Sequence, residues 1–231
     1  MDKLKCFSKS IDDFVSIMNQ VKEERQKNIQ SGKFVNVFSL WNEFSSIKEP
    51  IHSRILQFFL SPNPMHGQGY KFIYLFLKKI GVPYKEGDEW VSTAEIGHVD
   101  VMLKRFHPRS VVIIENKSNW AGDQPNQLYR YWYENIHHCE EDCHPDFYCN
   151  HPEYKAVYLV PNKDKTISED SIERPSGYPS HLPEKIPMTI DTWSFDKDIA
   201  EWLDDCISLL PKENTPLINL ISQYKQYCKN L

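Results

Sequence analysis

A chain of 231 residues is long enough to bury one sizeable hydrophobic core. Hydrophobic residues make up 40% and charged residues 26%, the balance of an ordinary globular protein rather than a disordered or fibrous one. The net charge of −5 argues against a broad basic surface for non-specific nucleic-acid binding, while leaving room for a local basic groove or a metal-bridged contact.

Residues 1–10 carry charge but no apolar segment of the kind a signal peptide needs. No run approaches the roughly 18 apolar residues of a membrane span. The expected compartment is therefore the cytoplasm, where six cysteines read as thiols or metal ligands rather than disulfides.

Ser10-Ile11-Asp12-Asp13 reads as a capping box opening a helix. Phe14, Ile17, Met18 and Val21 follow at helical spacing, and the helix is expected to end before Gly32. A second helix covers Val35 to Phe44. Pro50 suits the first turn of a third, with Ile51, Ile55, Leu56 and Phe59 on one face and Ser61-Pro62 as its stop. Phe72, Leu75, Phe76 and Ile80 build a fourth, ended by Gly81.

Strands come next, over Glu89 to Ile96, Val99 to Leu103 and Val111 to Glu115. The last two are joined by a turn at His107-Pro108. A hairpin centred between those two residues sets Asp100 across from Glu115, about 4.5–5.5 Å away. The pleat then puts Lys117, two residues on, on the same face as Glu115. Two facing carboxylates suit a divalent cation, and a lysine beside them suits a phosphate or an attacking water. That combination points to phosphodiester cleavage.

Asp123 is expected to cap the following helix, with Pro125 in its first turn and its end near Ile136. Lys155 to Val160 reads as a parallel strand reached by that helical crossover. Residues 162–187, rich in proline, serine and charge, read as loop. Asp196 to Leu210 and Leu217 to Tyr227 close the chain as helices. The order describes one α/β domain, with a helical extension over 1–45, a core over 46–231 and a Cys/His-rich insertion over 137–152.

Asp100 followed by Glu115-Asn116-Lys117 resembles the motif of the PD-(D/E)XK nuclease superfamily: an acid on one strand, then (D/E)-X-K on the next. Val99 stands where that family often has a proline. Gln127 and Tyr131, four apart on the crossover helix, resemble the Gln-X-X-X-Tyr pattern of the RecB-like branch. Glu49 matches an acid that the first core helix often contributes. The segment Glu49-Pro50-Ile51-His52-Ser53-Arg54-Ile55-Leu56, with His66-Gly67 after it, resembles the N-terminal signature of one bacterial subfamily. The resemblance runs from about residue 36 to the C-terminus.

The resemblance implies a restriction-endonuclease-like α/β core, with a mixed central sheet flanked by helices. It implies Mg²⁺ or Mn²⁺ held by Asp100, Glu115 and the backbone carbonyl of Asn116, with Glu49 as a further ligand. Lys117 would orient the nucleophile or stabilise the transition state, and Gln127 and Tyr131 would line the groove. The implied activity is a metal-dependent nuclease acting on DNA in defence, restriction or repair. An RNA nuclease and a catalytically inactive nuclease-fold binding module are the alternatives. With no separate recognition domain evident, specificity would be low or come from a homodimer or a partner protein.

Each residue also has a plainer reading. Glu-X-Lys at a strand end is common, and motif matches carry false positives. Glu49 reads equally well as a helix N-terminal charge favoured by the macrodipole. Gln127 and Tyr131 have an alternative as ordinary helix-surface residues. His52 reads as structural, bonded locally or to Glu49. Trp120, Trp132 and Tyr133 read as core or groove wall rather than base-stacking platforms. Cys139, Cys143, Cys149 and His151 are candidate ligands for a structural Zn²⁺. Their spacing matches no standard knuckle, and free thiols in an insertion are the favoured reading.

Overall fold

The apolar run Val111-Val112-Ile113-Ile114 lies at the centre of a five-stranded sheet in the computed structural model, which describes residues 2–33, 35–137, 148 and 151–231. Two compact units are distinguished, Met1–Phe44 and Ser45–Leu231. The first holds α1 (Asp2–Gln30) and α2 (Val37–Phe44). Ser10 lies inside α1, not at its start: Leu4, Phe7 and Ile11 extend the helical spacing upstream, with no glycine or proline to break it. The cap of α2 is Asn36, whose Oδ1 accepts from the N–H groups of Phe38 (2.9 Å) and Ser39 (3.2 Å).

The second unit opens with α3 (Glu49–Phe59), which has a proline in its first turn, and α4 (Lys71–Ile80). Gly81 ends α4 in the left-handed conformation, where a side chain would be strained. Then come β1 (Val91–Ile96), β2 (Val99–Arg105), β3 (Ser110–Asn116), α5 (Gln127–Asn135) and β4 (Tyr154–Val160). A short α6 (Glu169–Ile172), β5 (Ile190–Ser194), α7 (Ala200–Ser208) and α8 (Thr215–Cys228) complete the chain. The strands lie side by side in chain order. β1–β2 and β2–β3 are antiparallel, whereas β3–β4 and β4–β5 are parallel. This is the mixed sheet flanked by helices that the α/β reading expects. The register pairs Val101 with Ile114 and Met102 with Ile113, and its continuation puts Asp100 across from Glu115.

Every residue of β3 is buried, as suits a central strand covered on both faces. On one face Leu128, Tyr129, Tyr131 and Trp132 of α5 pack with Met102, Ile113, Ala156 and Tyr158. On the other, α3 crosses β1 to β3, and α4, α7 and α8 pack behind it. The ring of Phe59 lies 6.4 Å from both Phe72 and Trp202 and 6.1 Å from Tyr224.

Three expectations are corrected. α5 begins at Gln127 with Asn126 at its cap, so Asp123 caps nothing. Its carboxylate is already taken, by the Tyr158 hydroxyl (2.7 Å) and the Ser168 N–H (2.8 Å). Residues 162–187 are not bare loop. They contain α6 and an antiparallel bridge between Glu173 and Lys185. They also brace α5: the carbonyls of Asp170 and Pro183 accept from the Asn126 N–H and the Tyr129 hydroxyl, each at 2.7 Å. Finally, β5 was not expected. Four of its five residues are half-buried, Ser194 is buried, and polar and apolar side chains mix, so only pairing with β4 makes them a strand. Among the described residues, no helix is long and apolar enough to cross a membrane.

His52 is fully buried on α3, among the rings of Phe195, Tyr224 and Tyr227. Its Nδ1 lies 3.0 Å from the Tyr224 hydroxyl, so its partner is not Glu49. Burial pushes its pKa down to about 4. The unfolded chain takes up this proton near pH 6.5, whereas the folded chain resists until about pH 4. Stability present at neutral pH is therefore lost as the pH falls through that window, by on the order of 3 kcal/mol. Melting temperatures from pH 7 to 4 should fall more steeply for the wild type than for His52→Phe. Parallel curves would remove His52 as the cause.

Candidate active site

The pleat sends alternate side chains at the end of β3 to opposite faces, and the site is built from that alternation. Glu115 and Lys117 face α5, and Lys117 Nζ lies 2.8 Å from Glu115 Oε1. The ammonium also donates to Gln127 Oε1 (3.1 Å) and to the Gly122 carbonyl (3.3 Å). Gln127 Nε2 in turn donates to the Tyr131 hydroxyl (2.9 Å), and that hydroxyl donates to the His98 carbonyl in the turn between β1 and β2. Gln127 and Tyr131, one helical turn apart, thus join the lysine to the far side of the groove. Asp100 Oδ2 accepts from the Asn116 N–H (2.6 Å), which fixes the first acid against β3.

Asn116 points to the other face. Its Nδ2 donates to the Glu49 carbonyl (3.0 Å) and to Ser53 Oγ (3.1 Å), tying the start of α3 to the end of β3. The Glu49 carboxylate lies near the backbone N–H groups of Asn119 and Ala121 and within reach of the Lys117 charge, and its Oε1 is buried with no hydrogen-bond partner among the described residues.

One participant escaped the sequence reading. Asp123 Oδ1 stands 3.7 Å from Lys117 Nζ, and its side chain is only 3% exposed. The ammonium is thus held by two acids, Glu115 and Asp123. The available signal was an acid placed between the lysine and Gln127, which the helix-cap reading absorbed.

The electrostatics follow from this packing. Burial raises the pKa of Asp100, and the charge of Glu95 adds to the rise. Burial and the Asp100 charge raise Glu115. Burial pulls Lys117 down, but Glu115, Asp123 and Glu49 outweigh it and hold the ammonium above its ordinary value. Burial also works to raise Asp123, yet hydrogen bonds from Tyr158 and Ser168 leave it lowered.

The acid pair fits a divalent cation. Two hard oxygen donors repel each other in a buried place, and Glu115 Oε2 is buried with no hydrogen-bond partner among the described residues. Among those residues, no group of three or more His, Cys, Asp or Glu side chains forms a metal cluster. A sparse protein donor set suits Mg²⁺, which keeps several of its waters. Of the zinc candidates, Cys139, Cys143 and Cys149 lie outside the described residues. His151 is described, and its Nδ1 lies 2.6 Å from Glu153 Oε2.

A cleft of about 380 Å³ opens over Asp100, Gln127 and Tyr131, with Glu95, Arg130 and Glu134 also lining it. Among the described residues, the non-glycine positions with positive φ are Glu95, His98, Trp120 and Asn126. Glu95, near the end of β1, and His98, in the β1–β2 turn, line the cleft, while Trp120 lies in the loop after Lys117 and Asn126 at the cap of α5. Strained backbone of this kind collects where surrounding structure must aim functional groups. Trp132 is buried and Tyr133 half-buried against α5's neighbours, as groove or core residues should be, whereas Trp120 is 48% exposed.

No curated protein and no solved structure matches the chain. A family model described as the PD-(D/E)XK nuclease superfamily matches residues 35–226, which include both strands of the acid pair, the lysine and the crossover helix. By that match, over a mixed sheet that carries the D…EXK residues to one place, the chain belongs to the PD-(D/E)XK nuclease superfamily.

Proposed function

We propose that this protein is a divalent-metal-dependent nuclease that hydrolyses phosphodiester bonds in DNA, with Asp100, Glu115 and Lys117 as its catalytic centre. The observation that carries this reading is the Lys117 ammonium, 2.8 Å from Glu115 on the strand that also receives Asp100. Membership of a nuclease superfamily supports nucleic acid as the substrate. Placement in the RecB-like branch rests on Gln127 and Tyr131, which sit together in the groove. A role in defence, restriction or repair is consistent with a DNA substrate.

Asp100, Glu115 and the Asn116 carbonyl would hold the metal, with Glu49, whose Oε1 is buried without a partner among the described residues, as a further ligand. A divalent cation held by these groups would supply Lewis acidity, lowering the pKa of a bound water and polarising a phosphoryl oxygen. Lys117, kept cationic by two acids, is unsuited to be a general base. Its part is electrostatic: it orients the nucleophile and stabilises the charge that builds on the phosphorane oxygens. Gln127 limits where the ammonium can move, and Tyr131 anchors Gln127.

The test is cleavage of plasmid DNA, single-stranded DNA and RNA with Mg²⁺ or Mn²⁺, and again with chelator. Wild type should cut DNA only with metal, and Asp100→Ala should lose at least about 10²-fold in rate. Equal cleavage by wild type and Asp100→Ala would sink the proposal.

A further inference from the structure

Arg130 lies three residues after Gln127 on α5, and so on the same side of the helix. It lines the cleft that exposes Asp100 and Tyr131. Among the described residues it is the one lysine or arginine lining that cleft, where Asp100, Glu95 and Glu134 supply negative charge. Neither Glu95 nor Glu134 forms an ion pair with it among the described residues, although Glu134 is four positions along the same helix. Its Nε is buried and has no hydrogen-bond partner among the described residues.

A guanidinium N–H withdrawn from water without an acceptor is costly. An arginine held in that state beside a catalytic pair is prepared for a planar anionic acceptor. Its fork geometry suits the paired oxygens of a phosphate, which a lysine ammonium meets only as a point charge. We infer that Arg130 is a phosphate-binding residue, gripping a backbone phosphate of the nucleic acid next to the one that is cut. This rests on the nuclease reading above and adds a substrate-binding residue to it. In a cleft this acidic, an approaching polyanion meets positive charge at this residue and at the buried Lys117. Affinity should therefore depend strongly on Arg130.

The experiment measures binding rather than cleavage. A fluorescently labelled DNA oligonucleotide is titrated with protein in Mg²⁺, on the Lys117→Ala background, which slows cleavage beyond the time of each titration, over a series of salt concentrations. Adding Arg130→Ala should weaken binding on the order of 10-fold and lower the slope of log affinity against log salt by about 0.7–0.9, the contribution of one phosphate contact. Arg130→Lys should restore the slope while recovering only part of the affinity, because charge returns without the fork. Melting curves confirm that each variant is folded; should Arg130→Ala not fold, the Arg130→Lys comparison alone decides. Unchanged affinity and slope in the variants overturn the inference. Weaker binding with an unchanged slope also overturns it, since that marks a packing role. If the wild-type chain itself neither binds nor cuts DNA or RNA, the nuclease reading fails instead.

Discussion

Lys117→Ala is expected to lower the cleavage rate by about 10²–10³-fold, because the variant keeps both acids and loses the cation proposed to face the reacting phosphate. Metal binding should persist, since Asp100 and Glu115 remain; Mn²⁺ titration checks this. The variant should also be less stable without metal. Glu115, Asp123 and Lys117 have side chains 1%, 3% and 5% exposed, so deleting the ammonium leaves two acids buried without their shared partner. Removing one member of such an arrangement costs about 3–5 kcal/mol, read as a lowered melting temperature in chelator. A variant that cuts at the wild-type rate would show that Lys117 has no part in the chemistry. One that cuts slowly but melts like wild type would keep the catalytic role and refute the buried ion-pair account.

The second large effect is a dependence of stability on pH and metal. Asp100 and Glu115 are both raised in the folded chain by burial, with neighbouring carboxylate charge adding to it. The folded state therefore holds protons that the unfolded state releases near pH 4. The stability these groups contribute is present below that range and is lost as the pH rises through their elevated folded values. Metal-free protein should accordingly lose stability from about pH 5 toward pH 8, the reverse of the His52 effect on the acid side. On the proposed reading Mg²⁺ would bind the ionised pair, so its stabilisation should grow with pH over the same interval. Glu115→Gln removes the repulsion and should flatten the metal-free curve while abolishing most of the Mg²⁺ response. If metal-free stability is level across this interval, the acids are not electrostatically coupled as described.

Much of the framework was written in local sequence. The run Val111 to Ile114 has too many β-branched residues for anything but a buried strand, and β2 and β3 share one short turn. A hairpin that short leaves little choice of register, so Asp100 opposite Glu115 follows by counting. Pleat then fixes Lys117 beside Glu115, and a four-residue helical step fixes Gln127 near Tyr131. All of these are contacts between near neighbours, or contacts forced by a period of 2 or 3.6 residues.

What local sequence did not reveal was every contact made over long separations. Asp123 looked like a helix cap because its competing partners, Tyr158 and Ser168, are 35 and 45 residues away. β5 has no strand signature of its own and exists by pairing with β4. Residues 162–187 looked like bare loop because their backbone partners lie on α5. His52 found Tyr224 rather than the nearby Glu49, across 172 residues. The sequence by itself determined the acid pair, the lysine beside it and the β2–β3 hairpin, because steric periodicity and a tight turn decide them. Only the tertiary structure decided which acid shares the lysine, which segments brace the groove and which histidine is structural. Those outcomes depend on which distant group satisfies a buried donor or charge, and no local pattern encodes that choice.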